Sequence, residues 1–158
     1  MAKVSYDLIA DYFIAFSNDT GNLITNLKLQ KLMYYAQAWH ITIFNEPLFD
    51  KDFEAWVHGP VLADLYHEYK SFKWHPIERE DLEDKFKIIE SQLDKELKEF
   101  MEELCDEYFG LTAYELERLT HSEAPWKNAR SGLTPDQSSS EEISRDDMKD
   151  FYSNYLGN

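Results

Sequence analysis

Apolar residues recur at helical spacing along most of the chain. Behind Ser5, whose hydroxyl suits a helix N-cap, Leu8, Ile9, Tyr12, Phe13 and Phe16 fall on one face of a first helix. Asn18-Asp19-Thr20-Gly21-Asn22 breaks the pattern with turn formers. A second helix opens at Thr25 or Asn26. Its stripe of Leu29, Leu32, Met33, Ala36 and Trp39 or His40 is widened by Tyr34, Tyr35 and Ile41. An apolar arc that wide predicts a central helix buried on more than one side, ending before Asn45-Glu46-Pro47. The period then changes. Leu48-Phe49 and Phe53-Glu54-Ala55-Trp56-Val57 flank Asp50-Lys51-Asp52 and read as a small hairpin over residues 48–57. Gly59 permits an unusual backbone angle, and Pro60 suits the first position of a third helix. That helix carries Val61, Leu62, Leu65, Tyr66 and Tyr69 on one face.

Lys73-Trp74-His75-Pro76-Ile77 reads as a loop with room for a third short strand. A long acidic helical stretch, in one or two segments, follows within Asp81 to Tyr108. Leu93, Leu97, Phe100, Met101, Leu104 and Tyr108 line its inner face, and Gly110 stops it. Thr112 and Glu115 make a T-x-x-E capping box for a helix to about Leu119. Thr120-His121-Ser122-Glu123-Ala124-Pro125-Trp126 is a tight joint into a short helical turn ending near Arg130. Residues 131–142 are rich in Gly, Pro, Ser, Gln and Glu and predict a mobile loop. Ser144 and Asp147 cap a last helix whose Met148, Phe151, Tyr152 and Tyr155 are expected to face inward. The class that follows is mainly α with minor β, a compact single domain over residues 1–158. Trp56, Pro60, Tyr66 and Trp126 are expected in its interior, because turn chemistry and apolar spacing converge on them.

Charge changes the functional picture. Sixteen Lys and Arg face 31 Asp and Glu, a net −15. Nucleic-acid affinity comes largely from neutralised phosphates, so the isolated chain is expected not to bind duplex DNA. The same field favours a basic protein partner and speeds encounter with it. The N-terminus lacks the apolar run of a signal peptide, and no stretch approaches the roughly 20 apolar residues of a membrane span. A cytoplasmic location is therefore expected.

Candidate chemistry is sparse. The single cysteine, Cys105, forbids an internal disulfide and has no evident electropositive surroundings to activate it. His58, His67, His75 and His121 show no paired ligand spacing, and no thiolate cluster accompanies them. His58 and His121 sit at turns and are expected to hydrogen-bond backbone. Carboxylates are too abundant to single out a catalytic pair, and no nucleophile elbow, phosphate loop or dinucleotide fingerprint exists. No catalytic, cofactor-binding or metal-ligating residue is assigned, and the expectation is a binding protein, not an enzyme. Lys28, Gln30 and Lys31 open the second helix, where positive charge opposes the helix dipole. Lys28 or Lys31 therefore either pairs with a carboxylate elsewhere or meets a partner.

The segment from Asn26 to Gln37, NLKLQKLMYYAQ, resembles the "NLKLQKLLYYAQ" opening of the Panacea antitoxin domain, the family of SocA-like antitoxins and phage-associated GepA-like proteins. Phe53 to Val61, with Trp56, His58, Gly59 and Pro60, resembles its "FEAWxxGPV" signature, and Tyr66 and Tyr69 fall in the following "LYxxY" helix. Thr120 and His121, with Pro125, Trp126 and Ala129, match its "TH…PWxxA" motif, and Ile143 to Tyr152 matches its end. The resemblance covers nearly the whole chain. The acidic stretch from Asp81 to Glu103 carries no family signature.

The resemblance implies the antitoxin of a toxin–antitoxin system. Its partner would be a cognate protein toxin encoded by the adjacent gene, with translation-blocking, alarmone-synthetase-like enzymes among the toxins of such domains. Neutralisation by direct protein binding is the leading expectation. A proteolytic adaptor that delivers the toxin to a ClpXP-type protease is the alternative, and a hydrolase with an unrecognised carboxylate or histidine site is the alternative of another class. The motif residues Lys28, Gln30, Lys31, Trp56, His58, Gly59, Pro60, Thr120, His121, Pro125 and Trp126 are expected to serve mainly the fold. Lys28, Lys31, Tyr34, Tyr35, Tyr66 and Tyr69 are the candidates for contact with a partner.

Overall fold

The computed structural model describes residues 2–156; residues 1, 157 and 158, which the single-domain reading included, lie outside the described residues. Among the described residues, eight α-helices and one two-stranded antiparallel sheet make a mainly α fold with minor β. The first helix, α1 (Tyr6–Thr20), is capped by Ser5 and closed by Gly21 in the left-handed region. The second, α2 (Asn26–Phe44), is capped by the Thr25 hydroxyl and ends on Asn45, also left-handed. The wide apolar arc of α2 has the expected result: residues 29–38 are buried without a break. The remaining elements assemble around it. It touches α1, the sheet, and the later helices α3 (Ala63–Tyr69), α5 (Lys95–Tyr108), α6 (Ala113–His121) and α8 (Arg145–Ser153).

The acidic stretch is divided: a 3-10 turn at Glu80–Leu82, the short α4 (Phe86–Glu90), then α5, capped by the Asp94 carboxylate. The capping box at Thr112 is formed on both sides and opens α6. A six-residue α7 (Ala124–Ala129) carries Pro125 in its first turn, and Ser144 caps α8. No described helix is long and apolar enough to cross a membrane.

Four local expectations are corrected. The hairpin is displaced toward the C-terminus: β1 (Glu54–Trp56) pairs with β2 (Gly59–Val61) across a two-residue turn at Val57-His58. Leu48-Phe49 is not a strand, because the Gln37 side chain takes its backbone groups. Gln37 Oε1 accepts from Leu48 N at 2.8 Å, and Gln37 Nε2 donates to Phe49 O at 2.7 Å. Pro60 starts no helix. It pairs opposite Ala55 in β2, a position in a two-stranded sheet where a missing N–H costs no ladder bond. Residues 73–77 form no strand; the loop is held through Ile77 N to Ile24 O at 2.8 Å. Tyr155 points outward, 66% exposed, because α8 has ended at Ser153. Trp126 and Pro60 are buried, whereas Trp56 and Tyr66 are half-buried and pack edge to face at 5.0 Å.

Candidate functional site

The motif residues of α2, the hairpin and the α6–α7 joint meet in one place. The pivot is Lys31, which is completely buried. Its ammonium donates to Pro60 O at 3.0 Å, and its aliphatic stem lies against Gly59. A β-carbon added to Gly59 would stand 2.6 Å from Lys31 Cε and 2.9 Å from Thr120 Oγ1. Gly59 also has φ +105°, a backbone region that L side chains rarely occupy. Beside it, Gln30 Oε1 accepts from Leu62 N at 2.9 Å, and Gln30 Nε2 donates to Asn26 Oδ1 at 2.9 Å. Asn26 in turn donates to Tyr66 O at 3.0 Å. One turn of α2 thus fastens the hairpin through the Lys31 ammonium and α3 through the Gln30 and Asn26 amides, satisfying backbone groups that have no partner in the short elements themselves.

The α6–α7 joint grips the other strand. The Trp126 indole donates to Trp56 O at 2.8 Å and stacks on His121 with centroids 4.0 Å apart. Arg130, buried and lying 5.0 Å from the Trp126 ring, donates to Ala55 O at 2.9 Å, to Thr134 O at 3.1 Å and to Gln137 O. Ala55 N donates to Glu141 O at 2.8 Å, and Ile143 N to Phe53 O at 2.8 Å. The loop over residues 131–142 is therefore tied to β1 at both ends. His121 Nε2 is buried without a hydrogen-bond partner among the described residues, and burial holds its imidazolium below the ordinary value.

Two charge expectations are corrected here. Among the described residues, neither lysine of α2 pairs with a carboxylate. Lys28 Nζ donates to Phe109 O at 2.6 Å and lies 4.9 Å from the Phe109 ring centroid. Phe109 is the C-cap of α5, where carbonyls lack helical donors and the dipole is negative. The helix that disfavours the charge at its own start finds compensation in the end of another. His58 also departs from expectation: its side chain is exposed in the hairpin turn, and Nδ1 lies 3.2 Å from Glu117 Oε1, a carboxylate and not backbone.

Burial pushes the Lys31 ammonium down to about 7, against the opposing pull of Glu117. The ordinary value of 10.5 applies to the unfolded chain, so between these limits the unfolded state binds more protons. Stability should then rise with pH through that window, by at most about 1.4 kcal/mol per pH unit, and stay level in this respect below it. Urea titrations at pH 7, 8 and 9 should show the rise, and Lys31→Met should flatten it. A wild-type midpoint independent of pH over this range contradicts a neutral lysine in the interior.

Toward the C-terminal end of α2 lies a cleft of about 530 Å³ between α2, α5, α6 and α8. Trp39, Tyr108 and Tyr155 stand in its walls, and Glu123 lies within it. Glu123 Oε1 accepts from Tyr35 at 2.8 Å and from Tyr152 at 2.7 Å. The Tyr34 hydroxyl is 3.2 Å from that of Tyr152. Trp39 Nε1 donates to the Tyr108 hydroxyl at 2.7 Å, and Tyr108 stacks on Tyr35 at 4.2 Å. Burial raises the Glu123 carboxyl above its ordinary range, and the two tyrosine donors act in the opposite direction.

Of the residues expected to face a partner, Lys31, Tyr34, Tyr35 and Tyr69 are buried, while Lys28 and Tyr66 are partly exposed. Among the motif residues, Gln30, Gly59, Pro60, Thr120, Pro125 and Trp126 are buried in the frame around Lys31. Glu123 and Arg130 are central yet had no sequence signal. Glu123 occupies the N-cap position of α7 but does not cap it; it turns to tyrosines 88 and 29 residues away. Cys105 is buried in α5, and burial pushes its thiol up to about 12. Among the described residues, no group of three or more His, Cys, Asp or Glu is placed to hold a metal ion.

No curated protein and no solved structure shows significant similarity to the chain. A family model described as "Antitoxin SocA-like, Panacea domain" matches residues 29–127, more than half of the chain. That span holds the Lys31 pivot, the hairpin and the α6–α7 joint as far as Lys127, so by its motifs and by the frame they build, the chain belongs to the SocA-like antitoxin Panacea domain family.

Proposed function

We propose that this protein is the antitoxin of a toxin–antitoxin system and neutralises a protein toxin by binding it directly, without catalysing a reaction. The family match over residues 29–127 carries this reading. Two features support it. The polar motif side chains Gln30, Lys31 and Trp126 are engaged with backbone inside the fold, the role expected of a scaffold. The net charge of −15 suits rapid encounter with a basic partner, weakening as salt rises. The partner is the product of the adjacent gene, and the complex forms in the cytoplasm.

Co-expression with that gene tests the proposal. Growth should be rescued, and a complex should survive affinity purification, in cells with and without ClpX. Rescue that disappears without ClpX, with no complex isolated, would replace direct neutralisation by delivery to the protease. Absence of toxicity from either neighbouring gene, with no co-purifying protein, would remove the antitoxin reading.

A further inference from the structure

The Lys31 frame fastens the hairpin at the start of α2, and the C-terminal half of that helix has a different character. The cleft there contains no lysine, arginine or histidine among its lining residues. Its rim carries Glu103 and Glu107, one turn apart on α5 and both exposed. Like charges at that spacing repel, and no ion pair relieves either among the described residues. Its walls present Trp39 and Tyr155, and Ile43 beside them is 46% exposed.

The floor is more specific than the rim. Glu123 is 8% exposed, yet both of its tyrosine donors converge on Oε1. No donor among the described residues reaches Oε2. Oε2 is also not among the buried polar atoms without a partner, so it opens on the cleft. An ionised carboxylate has about four acceptor positions, and here one whole oxygen is free in an otherwise apolar and aromatic recess. A neutral donor would satisfy part of that capacity; a cation satisfies the charge as well. Aromatic faces beside a carboxylate add attraction for a cation.

We infer that this cleft is the docking site for the protein partner, and that it receives a lysine or arginine side chain of that partner, set among apolar residues, with its cationic head on Glu123 Oε2. The acidic rim steers the cation inward, and Trp39, Ile43 and Tyr155 cover the flanking apolar residues. Desolvated charge pairs of this kind, ringed by aromatic contacts, are where binding energy concentrates. The inference rests on the direct-binding reading for the identity of the partner. The chemistry of the cleft can be tested apart from it.

The test therefore has two arms. In the first, the isolated protein is titrated with a capped tetrapeptide, Leu-Leu-Arg-Leu, and with Leu-Leu-Glu-Leu, while the indole N–H resonance of Trp39 is followed by NMR. The arginine peptide should shift that resonance and the glutamate peptide should not. Glu103→Arg combined with Glu107→Arg should weaken the arginine peptide by about tenfold or more, as for reversal of close charge pairs at an interface. Glu123→Gln, which keeps an acceptor for both tyrosines, should weaken it as well. Unfolding midpoints equal to wild type show that the exposed pair leaves the fold intact.

In the second arm, the same variants are co-expressed with the toxic neighbour. Wild-type rescue with loss of rescue in the Glu103→Arg/Glu107→Arg variant supports the site. Full rescue by that variant and by Glu123→Gln places the toxin elsewhere and overturns the inference, while leaving the antitoxin reading in place. If the wild type rescues nothing, the antitoxin reading falls, and the peptide arm alone decides: equal shifts with both peptides, or none with either, overturn the cation site.

Discussion

Trp126→Ala is expected to lower the free energy of unfolding by about 3–5 kcal/mol, the range for truncating a large buried aromatic. Trp126 is 7% exposed, and its loss removes more than its own area. The His121 ring loses the face it stacks on, Arg130 loses the ring beside its guanidinium, and Trp56 O loses its donor. A domain of this size has a total stability of only about 5–15 kcal/mol, so the variant should accumulate poorly and rescue poorly for lack of folded protein. Trp126→Phe separates the contributions. It keeps an aromatic face but not the indole N–H, and should cost about 1–3 kcal/mol for the carbonyl left without its donor. Urea unfolding of both variants, alongside growth rescue, is the measurement. A Trp126→Ala protein that unfolds like wild type but has lost rescue would place Trp126 in the working surface, not in the frame.

Gly59→Ala is expected to be nearly as damaging, at about 3 kcal/mol, from backbone strain and overpacking together. The methyl group would meet Lys31 Cε at 2.6 Å and Thr120 Oγ1 at 2.9 Å, on a backbone at φ +105°. Lys31 has no room to yield, since it is fully buried and its ammonium is held by Pro60 O. Shortening the lysine separates the two causes. In a Lys31→Ala background the steric contact with the stem is gone, and Gly59→Ala should cost less, leaving the backbone strain and the Thr120 contact. Unfolding midpoints of the four proteins form a double-mutant cycle. An additive cycle would show that the lysine stem does not constrain Gly59, and that the left-handed backbone alone explains the glycine.

The helices were largely legible because their signals are local. Ser5, Thr25, Thr112 and Ser144 each cap the helix that follows, and their partners lie within one turn in sequence. The width of the apolar arc on α2 announced its central position, since a helix covered on one side alone needs only a stripe. The hairpin was misplaced for the same reason in reverse. Leu48-Phe49 has the composition of a strand, but its backbone is taken by Gln37, a contact across 11 and 12 residues that no periodicity encodes. Pro60 reads locally as a helix start. It is a strand residue here because Lys31, 29 residues earlier, engages its carbonyl.

The family resemblance singled out residues that meet around Lys31 without revealing how they pack. Lys31 stood out as a cation badly placed at a helix start. Its destination is a carbonyl in the interior, where removal from water lowers its affinity for a proton and the Gly59 backbone closes over the stem. Tyr34 and Tyr35 stood out as possible contact residues. They lie in the core, and the Tyr35 hydroxyl donates to Glu123.

By itself, then, the sequence determined the helical class, the helix starts at Ser5, Thr25, Thr112 and Ser144, the strong negative charge and the family. Each depends on composition or on residues within a turn or two of one another, where the backbone period alone sets the geometry. The tertiary structure decided the partners of Lys28, Lys31, Glu123 and Arg130, the position of the hairpin and the existence of the cleft. Those depend on contacts across 11 to 88 residues, brought about by burial of the apolar arc of α2. Burial then drives enclosed polar groups to whatever partners the packing has placed within reach, although His121 Nε2 finds none among the described residues.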